Sequence, residues 1–233
     1  MTLPEDPATL LFWPAATIAF YIGARALNRI RPRWWSSPLL VTPALLILLA
    51  TIMQAGYGDY NRGSHWLTIM VGPATVAFAL PIWERRAVIR RYWPILTLGV
   101  VIGSGIAMAS AWGMAHLLGL SDQLARSLMP RSVTMPFAMA VSDDIGGLPD
   151  LTAVFVILTG VCGAAIGEIM LTWLPLRSSL ARGALFGMGA HGAGVAKAHQ
   201  IGTEEGSIAG LVMVLAGLFN VLMAPVLAAM LAA

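Results

Sequence analysis

Long hydrophobic stretches at residues 10–26, 39–55, 66–83, 93–118, 124–147, 151–173, 180–202 and 208–232 leave only short polar connections between them. A chain built this way has too little polar sequence to cover itself in water. Only 11% of its residues are charged, against roughly a quarter in soluble domains, while 58% are hydrophobic and the mean hydropathy is +0.78. A crossing of the hydrocarbon core takes about 20 apolar residues, so 233 residues predict an all-α polytopic membrane protein occupying the whole chain. The expected organisation is one transmembrane domain, 1–233, made of N-terminal helices over 1–120 and two related units over 121–176 and 177–233. The net charge of +3 is confined to a few connections, which speaks to orientation in a bilayer and not to nucleic-acid binding.

The single cysteine, Cys162, lies in an apolar run, so the sequence offers neither a disulfide framework nor a soft-metal cluster, and a buried packing role is expected for the thiol. Residues 1–7 are acidic where a signal peptide would be basic, so the first hydrophobic stretch is expected to belong to the mature protein. Trp13, Trp34, Trp35, Trp66, Trp83, Trp93 and Trp173 fall near the ends of stretches, where an amphipathic ring favours the headgroup level. Arg25, Arg29, Arg31 and Arg33 follow the first stretch, and Arg85, Arg86, Arg90 and Arg91 separate the third from the fourth. These two basic connections are expected on the cytoplasmic side of the membrane, which puts the N-terminus outside.

The second half carries a weak internal repeat at an offset of 56: Leu124-Ala125-Arg126 recurs as Leu180-Ala181-Arg182, Ala140 matches Ala196, and Ile145-Gly146 matches Ile201-Gly202. Each unit has an interrupted segment followed by an uninterrupted one. The interruptions are Pro130-Arg131-Ser132-Val133-Thr134-Met135-Pro136 and Gly187-Met188-Gly189-Ala190-His191-Gly192-Ala193-Gly194. Proline lacks an N–H and glycine is costly inside a helix, so each segment is expected to be two half-helices joined by non-helical backbone. Such backbone at membrane depth must be buried in protein or line a polar cavity. If both segments are re-entrant, the units form an inverted repeat, with about six transmembrane helices plus two hairpins and both termini outside. The alternative is eight full crossings in a parallel repeat. Arg177 and Arg182 fall in a cytoplasmic connection only under the re-entrant arrangement, which is therefore preferred.

In the first hairpin Ser132 and Thr134 are placed to cap a half-helix that opens at Pro136. In the second, Gly192 and Gly194 precede a half-helix expected over about residues 195–200. Both half-helices would aim free N–H groups and the positive end of a dipole at the membrane midplane, an arrangement suited to a small carboxylate. His191 adds a donor, or else an ordinary interhelical hydrogen bond, and Arg131 is a partner for an anion, or else for Asp143 or Asp144. Asp143 and Asp144 are candidates for coupling to protons or cations, against the plainer reading of wet loop carboxylates. Lys197, the chain's one lysine, either approaches the site or snorkels to the surface. His199, with Glu204 and Glu205, is a candidate gate or a solvated loop, and Glu168 an interfacial carboxylate. The competing account of the glycines is close helix packing, with small residues four apart as at Gly183 and Gly187 or Gly206 and Gly210. His191 and His199 lack a third ligand for zinc, and Ser132 with His191 lacks an orienting carboxylate, so no metal, no cofactor and no enzyme activity is expected.

The run Val71-Gly72-Pro73-Ala74-Thr75-Val76-Ala77, the Ser132-Val133-Thr134-Met135-Pro136 motif, Leu151-Thr152-Ala153-Val154-Phe155, and Ala190-His191-Gly192-Ala193-Gly194 together resemble the LrgB/CidB family, in order, over nearly the whole chain. Family sequences commonly carry Lys where this chain has Arg131, Ser where it has Ala190, and Pro or an apolar residue near Glu168. The resemblance implies an antiholin-like or holin-like protein of the bacterial inner membrane, linked to murein hydrolase export and autolysis and encoded with a smaller LrgA/CidA-type membrane partner. Related proteins, among them the plastidial glycolate/glycerate translocator, carry small 2-hydroxy or 2-oxo monocarboxylates. The expectation is therefore a secondary transporter of a glycolate-, lactate- or pyruvate-type anion, in which Arg131, Ser132, Thr134, Pro136, His191, Gly192 and Gly194 bind the carboxylate. The rivals are a holin/antiholin-type protein acting by homo-oligomerisation without a substrate, and a structural subunit whose partner holds the pathway.

Overall fold

The computed structural model describes residues 7–31, 34–77 and 79–232, and among these every regular element is helical. Three helices are long and apolar enough to cross a membrane: α6 (Arg86–Leu117), α9 (Pro149–Trp173) and α11 (Thr203–Ala232). The remaining helices are α1 (Pro7–Ile30), α2 (Pro38–Ile52), α3 (Tyr57–Ile69), α4 (Val71–Ala77), α5 (Ala79–Glu84), α7 (Asp122–Leu128), α8 (Met135–Asp144) and α10 (Ser179–Ile201). The chain divides into two compact units after Ala77.

In the first unit α1 packs on α2 and α3. Trp13 is buried at 1% exposure, with its ring edge-on to Tyr60 at 5.6 Å. The hydrophobic stretch at 66–83 is not one helix: α3 ends at Ile69 and a turn at Met70 precedes α4.

In the second unit α6 departs from helical geometry at Tyr92 (φ −117°, ψ 18°), two residues before Pro94, whose ring would clash with the preceding turn. Both interrupted segments then fold back on themselves. Phe186 and Ala198 are twelve residues apart and would be about 18 Å apart on a continuous helix, yet they share one buried cluster with Ala209. The reversal sits at His191, where φ is +37° and ψ is −121°. The second arm resumes directly after His191, earlier than the half-helix expected near residue 195. The glycines assigned to the break are helical, and Gly194 lies against the Phe186 carbonyl of the opposing arm.

The first interrupted segment reverses through a 3₁₀ turn, Met129–Ser132, and extended Val133. Its base is stapled by three fully buried hydroxyls. Ser127 Oγ accepts from the Leu148 N–H (2.8 Å), and Thr152 Oγ1 lies 2.9 Å from the Ser127 carbonyl and 2.7 Å from Ser142 Oγ. Arg126 adds two bonds, from Nη1 to the Ile145 carbonyl and from Nη2 to the Leu231 carbonyl, each 3.1 Å.

Contacts along the helices fix their directions. Gly183 meets the Glu205 carbonyl and Ile208, and Gly187 meets Ala209, so the first arm of α10 runs with α11. Gly160 meets His191, Gly163 meets Gly189, and Gly167 meets Phe186, so α9 runs against that arm. A side chain at Gly187 would collide with the Ala209 carbonyl, which is backbone and cannot yield, whereas a Cβ at Gly189 meets nothing within 4 Å. Overpacking of this kind costs about 1–3 kcal/mol. Gly187→Val should therefore lower the thermal midpoint of the detergent-solubilised protein, while Gly189→Ala leaves it unchanged or raises it.

Candidate functional site

The site forms where the two chain reversals touch. The non-helical turn of the first hairpin leaves the Arg131 carbonyl without a helical partner, and His191 Nε2–H donates to it at 3.2 Å. This contact, between residues 60 apart in sequence, makes Nε2 the protonated ring nitrogen. Burial of His191 at 3% exposure and the Cε1 edge of its ring against Gly160 of α9 hold the imidazole in place. A non-glycine residue at positive φ is strained by roughly 1–2 kcal/mol, and this strain sits at the tip of the hairpin.

Arg131 is half-buried beside this contact, and its Nη1 donates to Ser132 Oγ at 3.4 Å. Among the described residues it makes no ion pair, so the proposed partnership with Asp143 or Asp144 is not formed. Those two carboxylates are exposed at the far end of α8, about 13 Å along the helix from its start. Thr134 occupies the N-cap position of α8 with extended backbone (φ −62°, ψ 143°), and Pro136 stands in the first turn. The Thr134 side chain makes no cap hydrogen bond and Ser132 belongs to the 3₁₀ turn, so the capping expected of both hydroxyls does not occur.

The other candidates are placed elsewhere. Lys197 is neither at the tip nor a lone snorkelling cation: its Nζ lies 2.9 Å from Glu168 Oε1, tying the second arm of α10 to α9. His199 is exposed, with its ring against Gly206 at the start of α11. Gly192 is exposed at the tip with no neighbour within 4 Å of a would-be Cβ, whereas Gly194 packs the two arms together.

A cavity of about 450 Å³ opens beside the tips between α9 and the first arm of α10. Arg131, Thr159, Cys162, Gly163, Ile166 and Gly189 are among its walls. Cys162 is thus exposed on a cavity wall, not buried as expected, because Gly163 and Gly167 bring the neighbouring helix in on one side and leave the adjacent face of α9 uncovered.

Two buried polar groups escaped the sequence reading. The Ser127–Ser142–Thr152 trio staples the first hairpin, and Asn220 Nδ2 donates to Ser104 Oγ (2.9 Å) and to the Ala216 carbonyl (2.7 Å) across α6 and α11. Asn220 Oδ1 is buried and has no partner among the described residues. The signal for it was an asparagine standing in an apolar stretch, since an amide is costly there unless it is bonded.

The chain matches the sequence profile of the LrgB-like family over residues 17–230. It is 43% identical over 211 residues to the uncharacterised protein YwbG of Bacillus subtilis, covering 91% of this chain and 94% of the relative. An uncharacterised protein of Haemophilus influenzae is 34% identical over 200 residues, 84% of this chain and 87% of the relative. The antiholin-like protein LrgB of Bacillus subtilis is 29% identical over 208 residues, 89% of this chain and 90% of that protein. No solved structure matches the chain.

Strain at His191 gives a direct test of the tip. Glycine tolerates the backbone angles there while alanine does not, and both lose the bond to the Arg131 carbonyl. His191→Ala should therefore be less stable than His191→Gly by about 1 kcal/mol in denaturant titration of the micellar protein.

Proposed function

The chain belongs to the LrgB-like family, and on that premise we propose that it is a secondary transporter of small monocarboxylates of the glycolate, lactate or pyruvate type. The observation that carries this reading is Arg131: a half-buried guanidinium without an anionic partner among the described residues, beside two chain reversals and a cavity. A charge in such surroundings asks for a counter-ion, and a carboxylate fits its forked donors. Ser132 and His191 touch Arg131 directly, and with Thr134, Pro136, Gly192 and Gly194 of the same two segments they are the residues proposed to form the seat, with α8 and the second arm of α10 presenting their N-terminal ends. No chemistry on the cargo is assigned to any residue.

The topology that suits this role has about six crossings and two re-entrant hairpins in an inverted repeat. Two features support it: both interrupted segments fold back, and α9 runs against the first arm of α10 while α11 runs with it. The arginine-rich connections at 25–33 and 85–91 favour a cytoplasmic placement, with the N-terminus outside a bacterial inner membrane. An LrgA/CidA-like subunit is the proposed partner and a homo-oligomer the proposed assembly. Asp143, at the far end of α8, is the proposed carrier of a coupling proton, and Asp144, Lys197 and His199, all away from the tip contact, are proposed for coupling or gating at a distance from the seat.

The relatives named antiholin-like support a second reading, in which the protein modulates murein hydrolase export without moving a small molecule. Reconstituted liposomes separate the two. The transporter should give saturable counterflow of labelled glycolate or pyruvate, altered by a pH gradient. Loss of a charged hydrogen bond in Arg131→Gln should weaken half-saturation about tenfold or more, and Thr134→Ala less. Leakage of unrelated dyes that depends on assembly size, with no counterflow even beside the partner subunit, would replace the transporter by the antiholin-type reading.

A further inference from the structure

We infer that the start of α6 is a binding site for an anionic phospholipid, whose phosphate is held by Arg86, Arg90 and Arg91 at the edge of the membrane. The inference rests on α6 as a membrane-spanning helix and not on the transported cargo. Residues 84–91 carry four arginines against one carboxylate, Glu84, and among the described residues none of the four forms an ion pair. Two of them lie against aromatic rings. The Arg86 guanidinium stands 4.7 Å from the centre of the Trp83 ring, and the Arg91 guanidinium 5.2 Å from that of Tyr92. Arg86 Nη1 also donates to the Trp83 carbonyl at 3.0 Å. A guanidinium stacked by its face keeps edge N–H groups free, and a fork of such donors matches two oxygens of a phosphodiester. Orientation by positive charge alone asks only for cations in this connection, and lysines would serve. Stacking and forked donation ask for arginine.

The depth fits a lipid head. α6 has 32 residues, about 48 Å, against a hydrocarbon core of about 30 Å, and its charged residues all lie in its first two turns. Arg90 and Arg91 precede Trp93 by roughly 3–5 Å of helix rise, which sets their guanidinium groups at phosphate level when the exposed Trp93 ring lies at the boundary. One side of this part of the helix is occupied, since Val88, Ile89 and Tyr92 pack toward Ile208 and Leu211 of α11. The other side is open. Arg86, Arg90 and Trp93 follow on it at i, i+4 and i+7, with Arg91, Ile95 and Leu98 beside them at the same spacing, and all six are exposed. An occupant of this face therefore offers negative charge at the surface end and hydrocarbon alongside Ile95 and Leu98. That is how a phospholipid stands in a bilayer, head outward and tails inward; a soluble acidic segment matches only the first half. Four arginines and one glutamate leave residues 84–91 net positive, so a zwitterionic head would bring its own cation into a cationic patch, and an anionic head is favoured.

Native mass spectrometry of the full chain released from detergent micelles counts bound lipid. Titrated with phosphatidylglycerol or phosphatidylcholine of the same acyl chains, the protein should bind its first phosphatidylglycerol at least about tenfold more tightly. The triple variant Arg86→Lys, Arg90→Lys, Arg91→Lys keeps the charge and the insertion signal. It should bind that first lipid about fivefold more weakly, with the thermal midpoint of the lipid-free protein unchanged. The triple replacement by glutamine should weaken binding by about tenfold or more, and Trp83→Ala by about threefold. Equal affinity for the two lipids overturns the inference, because no headgroup is then recognised. Parent-like affinity in the triple-lysine variant overturns it too, reducing the site to diffuse charge. Displacement of phosphatidylglycerol by equal concentrations of glycerophosphate or of a polyglutamate peptide would replace the phospholipid by a free phosphate ester or an acidic protein segment.

Discussion

The second unit depends on reversing its backbone twice inside apolar protein, and every reversal frees carbonyl and N–H groups that must find partners. The first break answers this partly within itself, since the Val133 N–H bonds to the Pro130 carbonyl. The Arg131 carbonyl is answered from outside, by the His191 ring at the tip of the other hairpin. One hydrogen bond therefore joins the two irregular places, and each covers the other where neither could stand alone in lipid. The location of the candidate site follows from that constraint: irregular backbone collects where it is mutually protected, and Arg131 and the cavity are brought there with it.

The hairpins reach the same geometry by different chemistry. Ser127 touches Thr152 through a hydroxyl–carbonyl bond, and at the offset of 56 Gly183 touches Ile208 through apolar contact. In the first hairpin buried hydroxyls hold the base. In the second, glycines let backbone press on backbone, with Gly187 on Ala209 and Gly194 on Phe186. Hydrogen bonds and close van der Waals contact are the two forces available for packing helices without a hydrophobic driving force between them.

Charge is divided between paired and unpaired. Lys197 and Glu168 neutralise one another at the edge of the unit, and Arg126 is spent on the carbonyls of Ile145 and Leu231. Among the described residues the Arg131 guanidinium donates to Ser132 Oγ and forms no ion pair. A guanidinium held this way keeps donors free beyond the one that reaches Ser132.

Composition and hydropathy by themselves determined that the chain is helical and membrane-like, because a stretch of apolar residues without charges has few other folds open to it. Proline and glycine clusters marked the two interrupted segments, since those residues alter local backbone energetics wherever they occur. Tertiary structure decided the rest. It narrowed the second break to His191, made Gly194 a packing residue, paired Lys197 with Glu168, exposed Cys162, buried Trp13 against Tyr60 and brought Arg131 to the histidine tip. Each of these depends on which helix faces which. That choice is made by close approach between residues distant in sequence, information that spacing and residue type along a single chain do not carry.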